Sequence, residues 1–412
     1  MRHIYTSIDI GSDTIKVIVC ELCKNKLNLL GASSVNANGI KKGVISDPKA
    51  AIISIKKAIN EVEEMLGIEL KKVLVTVPSY FAKYKTFKEE IALDDTPISN
   101  ETISKLMQQI LTNNSNKAEE IATVQTTDYK VDDVEVKDPK GQIGKTLKVR
   151  GIVTTIPREN LYSVVALLEK NGINVVDVCV GPISDYYAYK SKQYDSKNGI
   201  VVNIGSELTT ISVVTHGIVI KSSVIQFGGK SIDNDIAYIY KIDSKSATAL
   251  KEKFAFAHSS GAKSDEVKVV KNIINEDIEI NQHKISEICM ARLEEILNLI
   301  KNEISSLTNI ENDYIIITGG TSNMKGLGKL AIEKLDSTAV VENIKLLGVR
   351  NNKFVTPIGT IIYFISKLKT RGQEYTMIDK NEVNEMISNA KSKNIKNGNN
   401  VIDKVFNYFF NE

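Results

Sequence analysis

Alternating hydrophobic and polar positions mark two stretches of this chain as β-hairpins. Residues 8–16 are Ile-Asp-Ile-Gly-Ser-Asp-Thr-Ile-Lys, and residues 202–211 are Val-Asn-Ile-Gly-Ser-Glu-Leu-Thr-Thr-Ile. In each stretch an alternating apolar run turns at a glycine and then resumes, which is typical of two antiparallel strands joined by a tight turn. The repeat predicts two related units, each exposing backbone N–H groups and hydroxyls at a hairpin tip.

Strands and helices alternate through much of the remaining chain. Asp47-Pro48 opens a helix that runs to Leu66, because Asp caps a helix N-terminus and Pro fits the first turn. The apolar runs at 72–77 and 314–318 predict short buried strands. This alternation predicts an α/β fold. Residues 82–160 have a different pattern of hydrophobic and polar residues, which predicts an α+β insertion.

Composition and charge exclude several classes of protein. The 412 residues carry 53 basic and 50 acidic side chains, a net charge of +3, which argues against a nucleic-acid partner. The chain has no signal-peptide pattern and no apolar run near the ~20 residues of a membrane span, so a cytoplasmic protein is expected. Cys20 and Cys23 end an alternating strand, which favours structural thiols over a redox or zinc motif.

The first hairpin tip carries groups suited to phosphate. Glycine lets the backbone approach an anion without a Cβ clash, and the flanking hydroxyls add donors. Asp9, just before the turn, is a candidate for holding a water on Mg²⁺, a hard cation that prefers oxygen ligands. A plain hairpin without a ligand is the alternative. The candidate binding residues are Gly11, Ser12, Asp13, Thr14 and Lys16.

The second tip repeats this chemistry with one difference. Its candidate binding residues are Gly205, Ser206 and Thr209. The position of Asp9 is taken by Asn203, a candidate metal-site residue that has the shape of Asp without its charge. Two such tips facing each other would clamp a chain of phosphates.

Two glycine pairs follow further along the chain. The first lies after a strand and before a helix, where an anion site or a simple glycine turn is equally expected. The second follows a buried strand, and in α/β sheets ligands favour that end of a strand. The candidate binding residues here are Gly228, Gly229, Gly319, Gly320, Thr321 and Met324.

These four loops, in this order, resemble the actin/Hsp70/sugar-kinase ATPase superfamily, with its phosphate-1, phosphate-2 and adenosine motifs. Lys251 and Glu252 are similar to the Lys-Glu pair of actin that contacts ribose and adenine. A solvated helix face is the alternative for that pair. The resemblance implies ATP and Mg²⁺ between two related actin-like domains.

Within that superfamily the chain resembles the bacterial cell-division family FtsA over residues 1–370. Tyr129-Lys-Val131-Asp132-Asp133, followed by Asp138-Pro139 and the glycines up to Leu147, is similar to the inserted 1C subdomain of that family, with Gln142 replacing its usual Met. Gly228-Gly229 through Ala237 also resembles an FtsA stretch.

The resemblance implies a division of the chain into subdomains. Subdomain 1A is expected at 1–81 and 161–195, with a closing helix at 346–370, and 1C at 82–160. Subdomain 2A is expected at 196–232 and 306–345, and 2B at 233–305. A flexible linker at 371–399 and a membrane-targeting amphipathic helix at 400–412 are expected to follow.

The expected terminal helix has one apolar face. A helical period gathers its hydrophobic side chains on one side, whereas Asp403, Lys404 and Asn407 lie on the other. This pattern is typical of a helix lying in a membrane interface, and docking onto the protein's own core is the alternative. The residues of the apolar face are Val401, Ile402, Val405, Phe406, Phe409 and Phe410.

The family resemblance also implies a function. It implies a peripheral protein on the cytoplasmic side of the membrane at the division septum, which binds the C-terminal tail of the tubulin homologue FtsZ through 2B and self-associates into actin-like filaments. Subdomain 1C would contribute contacts within the polymer or recruit later division proteins. The family normally has Asp at position 203, so Asn203 predicts ATP binding with weak or no ATPase activity and no identified catalytic residue.

Two other functions remain open from the residues alone. A type IV pilus adaptor of the PilM kind shares the ATPase core and a similar insertion. A metabolite kinase shares the phosphate loops but needs an Asp general base, for which the sequence offers no convincing candidate.

Overall fold

The computed structural model describes residues 2–378. The strands are β1 (Arg2–Ile10), β2 (Thr14–Cys23), β3 (Lys26–Asn36), β4 (Ile40–Lys41), β5 (Val44–Ile45), β6 (Lys72–Val77), β7 (Lys83–Ala92), β8 (Glu119–Val131), β9 (Val134–Val136), β10 (Thr146–Pro157), β11 (Asn174–Val180), β12 (Asn198–Ile204), β13 (Thr209–Thr215), β14 (Ile218–Ile225), β15 (Val267–Lys271), β16 (Asp277–Asn281), β17 (Tyr314–Thr318) and β18 (Ala339–Val341). The α-helices are α1 (Pro48–Leu66), α2 (Asn100–Asn114), α3 (Arg158–Glu169), α4 (Gly181–Tyr189), α5 (Lys192–Asp195), α6 (Gly229–Tyr240), α7 (Ser244–Lys253), α8 (Gln282–Leu307), α9 (Leu327–Lys334) and α10 (Val355–Thr370).

Two five-stranded sheets have the same topology. Their strand orders are β3-β2-β1-β6-β11 and β14-β13-β12-β17-β18. In each, the first three strands form an antiparallel meander and the last two join in parallel. We call the unit built on the first sheet the first domain and that built on the second sheet the second domain. The repeat predicted from two hairpins therefore extends to whole sheets.

Each of these sheets is buried against helices. In the first domain α1 packs against β2 and β3, and α10 packs against β1 and β6. The predicted helix from Asp47 is confirmed, because the Asp47 carboxylate accepts hydrogen bonds from the Lys49 and Ala50 N–H groups and Pro48 occupies the first turn. In the second domain α8 packs against β13 and β14. The strands predicted at 72–77 and 314–318 are confirmed with those bounds.

A third sheet lies between α1 and α3 in the chain. Its order is β7-β10-β8-β9, and α2 covers one face with Ile103, Leu106 and Ile110. The opposite face is charged, and Arg150 pairs there with Asp128 at 3.0 Å. An α+β insertion was expected at this place. The strands β7 and β8 were not predicted. In β7 the pattern is weak because the strand buries little more than Phe87 among its charged residues.

Two helices form the junction between the domains. Helix α4 leads from β11 towards the second domain, where it contacts β12, β13 and β14, and α10 returns the chain to the first domain. The two helices cross at Gly359, where an added Cβ would lie 1.7 Å from the Ser184 carbonyl oxygen. The Thr360 hydroxyl lies 2.8 Å from that of Ser184 and 2.9 Å from that of Thr76, so the crossing also contains a buried hydroxyl network.

The chain beyond α10 packs back on the first strand. The Met377 N–H donates to the Ile4 carbonyl at 2.9 Å, and the Ile4 N–H donates to the Thr376 hydroxyl at 3.0 Å. Met377 and Ile378 are buried. The linker predicted at 371–399 therefore does not begin at 371, because these apolar side chains fill a place beside β1. The rest of that linker and the terminal helix at 400–412 lie outside the described residues.

The polar region at 259–284 contains a hairpin that was not predicted. Strands β15 and β16 pair there and bury Ile280, with Val270 and Ile278 packed against the second core. Within residues 2–378 no helix is both long and apolar enough to cross a membrane.

Candidate functional site

The tip of the β1–β2 hairpin is closed by its own backbone. The Gly11 N–H donates to the Thr14 carbonyl at 3.1 Å, and an added Cβ on Gly11 would lie 2.8 Å from that oxygen. Behind the tip, Asp9 and Lys16 face each other in the strand register with Oδ2 and Nζ 2.8 Å apart. Both side chains are largely buried. The predicted hairpin is thus confirmed, with Asp13 exposed at its tip.

The β12–β13 hairpin repeats this geometry. The Gly205 N–H donates to the Leu208 carbonyl at 2.9 Å, and Asn203 lies opposite Thr210, as Asp9 lies opposite Lys16. Ser206 lies at this tip beyond the last ladder pair. Thr209 is buried and donates its hydroxyl to the Phe227 carbonyl at 2.8 Å. Its side chain therefore holds the next loop in place.

The two glycine pairs meet at this second tip. The Gly229 N–H donates to the Gly205 carbonyl at 2.9 Å, and the Thr321 hydroxyl donates to the same carbonyl at 2.9 Å. An added Cβ on Gly228 would lie 2.5 Å from the Ser206 carbonyl oxygen, so only glycine fits there. Three of the four predicted loops are therefore in direct contact.

The second glycine pair has one closed and one open member. Gly319 has φ +91°, and an added Cβ would lie 2.2 Å from Asn203 Oδ1. Gly320 is exposed, and an added Cβ would meet only Lys353 Cβ, at 3.9 Å, so open space adjoins it. Met324 is buried in the core of the second domain and does not reach that space.

Lys251 and Glu252 have different environments. Lys251 is buried, with its Nζ 2.9 Å from Asp233 Oδ1 and donating to the Gly229 carbonyl at 3.2 Å. Glu252 remains open to solvent, but desolvation by the surrounding protein raises the pKa of its carboxyl. The charge of Lys251 opposes this rise, whereas the charges of Asp233 and Asp13 add to it. The interaction with Asp13 indicates that the first hairpin tip and α7 border the same cleft.

A carboxylate that the sequence reasoning missed lies at the base of this cleft. Asp185, on α4, is buried and accepts hydrogen bonds from Asn203 Nδ2 at 2.9 Å and from the Thr356 hydroxyl at 2.7 Å. Burial raises the pKa of Asp185 to about 7, partly opposed by these two hydrogen bonds. The signal that could have revealed it is that Asp185 is the single charged residue in the helix at 181–189.

A short turn of the first domain joins the two hairpin tips. Lys42 and Gly43, between β4 and β5, both have positive φ, at 47° and 74°. The Gly43 N–H donates to the Ser12 hydroxyl at 2.8 Å, and the Lys42 N–H donates to Glu207 Oε2 at 2.7 Å. Lys42 Nζ also donates to Gln226 Oε1 at 2.6 Å. The turn therefore spans the cleft between the two domains.

Two like domains with facing hairpin tips, joined by two crossing helices, define an actin-like ATPase fold. Among solved structures the chain is similar to a PilM-PilN type IV pilus biogenesis complex, with a TM-score of 0.59, 14% identity and coverage of 87% of this chain and 98% of that one. It is also similar to MreB5 of Spiroplasma citri bound to ADP, with a TM-score of 0.55, 13% identity and coverage of 90% and 99%. At these identities the likeness shows the fold alone.

The sequence comparisons identify the family. The family model "Cell division protein FtsA" matches residues 200–359, and "SHS2 domain inserted in FTSA" matches residues 82–155. A curated relative, the cell division protein FtsA of Bacillus subtilis (strain 168), is 29% identical over 379 residues, covering 90% of this chain and 86% of its own. The chain belongs to the FtsA family of cell-division proteins. The fold and family expected from the sequence are therefore confirmed.

Proposed function

We propose that this protein binds ATP with Mg²⁺ in the cleft between its two domains and links filaments of FtsZ to the cytoplasmic membrane at the division septum. The observation that carries the nucleotide site is the meeting of the glycine loops around the Gly205 carbonyl, with the first tip tied to the second by the turn at Lys42. MreB5, which has the same fold, has been solved with ADP. Membership of the FtsA family supports the role in cell division.

The residues present fit a magnesium–nucleotide complex. Within the described part of the chain no group of three or more His, Cys, Asp or Glu side chains could hold a metal ion. Mg²⁺ accompanying a nucleotide needs only one or two carboxylates, because phosphates and waters complete its coordination. Asp9 would serve as such a carboxylate, and Lys16 beside it would offset the phosphate charge. When bound, the cation would neutralise negative charge on the phosphates.

The loops would contact different parts of the nucleotide. The tips at Ser12 and Ser206 would offer hydroxyls and backbone donors to the phosphates, and the open side of Gly320 with Glu252 would border the nucleoside. Asn203 has no charge to contribute and is bonded to Asp185. We therefore expect slow or negligible hydrolysis, and steady turnover at ordinary ATPase rates would contradict this.

We assign the binding of division proteins and self-association to the regions that the family resemblance implies. Residues 233–305 would bind the FtsZ tail, and the inserted block at 82–160 would contact a neighbouring copy or later division proteins. Self-association would place many terminal helices on one membrane, which makes weak individual binding strong. Pelleting with lipid vesicles and an FtsZ tail peptide, with and without ATP, tests these roles together.

Removing the terminal residues 399–412 is expected to abolish membrane binding. Burial of the apolar face in a bilayer contributes several kcal/mol at about 25 cal/mol per Å², and its loss leaves the chain in solution. In a flotation assay with vesicles containing anionic lipid, the full chain should rise and the truncated chain should stay at the bottom. Equal flotation by both would contradict the membrane proposal.

A matched pair of variants separates apolar burial from charge in that assay. Phe406→Asp with Phe409→Asp should abolish flotation, whereas Asn407→Asp with Asn411→Asp adds the same charge to the polar face and should weaken it only modestly.

Replacing Glu207 by glutamine is expected to tighten ATP binding about three- to tenfold at low ionic strength. The carboxylate lies in the second tip, where it repels phosphate, and a Gln carbonyl still accepts from the Lys42 N–H. Titration with a fluorescent ATP analogue measures the affinity at two salt concentrations. The gain in affinity should be smaller at the higher salt concentration, because salt screens the repulsion between the carboxylate and phosphate. Glu89→Gln, in the inserted sheet, is the matched control and should leave the affinity unchanged. Weaker binding by Glu207→Gln would contradict the placement of phosphates at this tip.

A further inference from the structure

The two hairpins differ in charge at one equivalent position. Asp9 and Asn203 each lie near the carboxyl end of the central strand of a five-stranded sheet, and each is aligned with a threonine of the parallel neighbour, Thr76 and Thr318 respectively. Asp9 is a carboxylate paired with Lys16, whereas Asn203 is a neutral amide. The second domain thus lacks, at this position, the negative charge that the first domain has.

A carboxylate from another element lies next to that amide. Asp185 Oδ2 is 2.9 Å from Asn203 Nδ2, and Asp185 Oδ1 is 2.7 Å from the Thr356 hydroxyl. Asn203 Nδ2 also lies 3.3 Å from that hydroxyl. These three residues come from α4, β12 and α10, so the carboxylate is fixed by the second domain and by both junction helices.

The hydrogen-bond partners of Asp185 are neutral. Asn203 and Thr356 satisfy its oxygens but do not neutralise it, and the side chain is only 2% exposed. The charged groups that interact with it are Asp9 and Lys16, and Lys16 is paired with Asp9. A buried carboxylate without its own counter-ion is costly. When Asp185 is ionised, the base of the cleft has two carboxylates for one ammonium, a deficit of positive charge that a cation would correct.

We propose that Asp185 supplies, from the junction helix α4, the negative charge that Asn203 lacks, and that with Asp9 it attracts the hydrated divalent cation that accompanies the bound nucleotide. This inference rests on the proposed nucleotide site. Asn203 and Thr356 act as positioning residues that hold the Asp185 carboxylate. Exchanging this carboxylate and this amide between the two positions would keep one negative charge and change only its place in the chain.

Exchanging the carboxylate and the amide between positions 185 and 203 provides the experiment. ATP binding to the full chain is measured by calorimetry with Mg²⁺ and with EDTA, for the wild type, Asp185→Asn, Asn203→Asp and the double variant. The wild type should bind more tightly with Mg²⁺, and Asp185→Asn should lower that gain about tenfold while binding in EDTA is unchanged or tighter. The double variant, which again has one carboxylate and one amide, should recover the gain.

The single variant Asn203→Asp places two carboxylates in hydrogen-bond contact and should lower the unfolding temperature without nucleotide. Asp277→Asn, which removes an exposed carboxylate on β16, is the matched control and should leave the magnesium gain unchanged. If Asp185→Asn does not fold, the magnesium gain of the double variant tests the inference instead, because the double variant retains the carboxylate–amide pair.

Two results overturn the inference. A full magnesium gain in folded Asp185→Asn would show that this carboxylate does not attract the cation, and a folded double variant without the gain would show that its charge is not what matters. Absence of ATP binding to the wild type in both conditions would instead overturn the proposed nucleotide site, and the inference with it.

Discussion

Replacing Gly359 by alanine is expected to lower the free energy of unfolding by about 3 kcal/mol, with a fall of several degrees in the midpoint of thermal unfolding. The added Cβ would lie 1.7 Å from the Ser184 carbonyl oxygen and 3.2 Å from the Ala188 nitrogen. Both atoms belong to the backbone of α4, so the conflict is relieved only by moving one junction helix against the other. Calorimetry or circular dichroism on the full chain measures the effect.

A second glycine provides the matched control. Gly328 lies near the start of α9, and an added Cβ would meet only Val341 Cγ2, at 3.8 Å. Gly328→Ala should leave stability unchanged or raise it by up to about 1 kcal/mol, because alanine favours the helix. An unchanged unfolding temperature for Gly359→Ala would mean that the helices of the junction are not closely packed in solution.

Replacing Lys251 by alanine is expected to lower the free energy of unfolding by about 3–5 kcal/mol in the absence of nucleotide. The side chains of Lys251 and Asp233 are 8% and 4% exposed and form an ion pair at 2.9 Å. The substitution leaves the Asp233 carboxylate buried without a partner and removes the hydrogen bond to the Gly229 carbonyl. Thermal unfolding of the nucleotide-free chain measures the loss.

The same experiment separates a structural lysine from a nucleotide contact. Lys253→Ala removes an exposed lysine from the same helix and should change stability by less than about 0.5 kcal/mol. Lys251→Met with Asp233→Leu removes both charges and should recover much of the lost stability. If Lys251→Ala weakens ATP binding but leaves the nucleotide-free chain as stable as before, the lysine acts only on the ligand.

The parts of the fold that the sequence predicted are those determined by local periodicity. The alternating runs around Gly11 and Gly205 predicted both hairpins, and the structure aligns Asp9 with Lys16 and Asn203 with Thr210 in equivalent registers. A strand with one buried face alternates with period two whatever lies around it, so this information is present in a short segment.

Elements with weak local patterns were missed. Strands β7 and β8 are rich in charged and polar side chains, and the exposed face of the inserted sheet accounts for much of that pattern. The predicted linker at 371–399 is another example, because its polar composition hid Tyr375, Met377 and Ile378, which pack against the core of the first domain. The composition of a segment averages over many residues, whereas burial depends on whether each individual side chain packs against another part of the fold.

The candidate site was only partly predictable. Glycines and hydroxyls in the loops could be named from the sequence, but Thr209 and Lys251 serve the packing of the site, and Asp185 was not named at all. The contacts that decide these roles join residues far apart in the chain, such as Lys42 with Glu207 across 165 positions. No local pattern carries such pairings.

The sequence by itself determined that this protein has two related domains with glycine-turn hairpins, an inserted α+β block and the features of the FtsA family, because periodicity and motif order are properties of the chain. Only the tertiary structure decided which of the named side chains face the cleft and which support it. It also revealed that the carboxyl group of Asp185 lies beside Asn203, because the crossing of α4 and α10 brings a helix residue next to a strand end. That closeness is created by packing, and packing is decided by the whole fold.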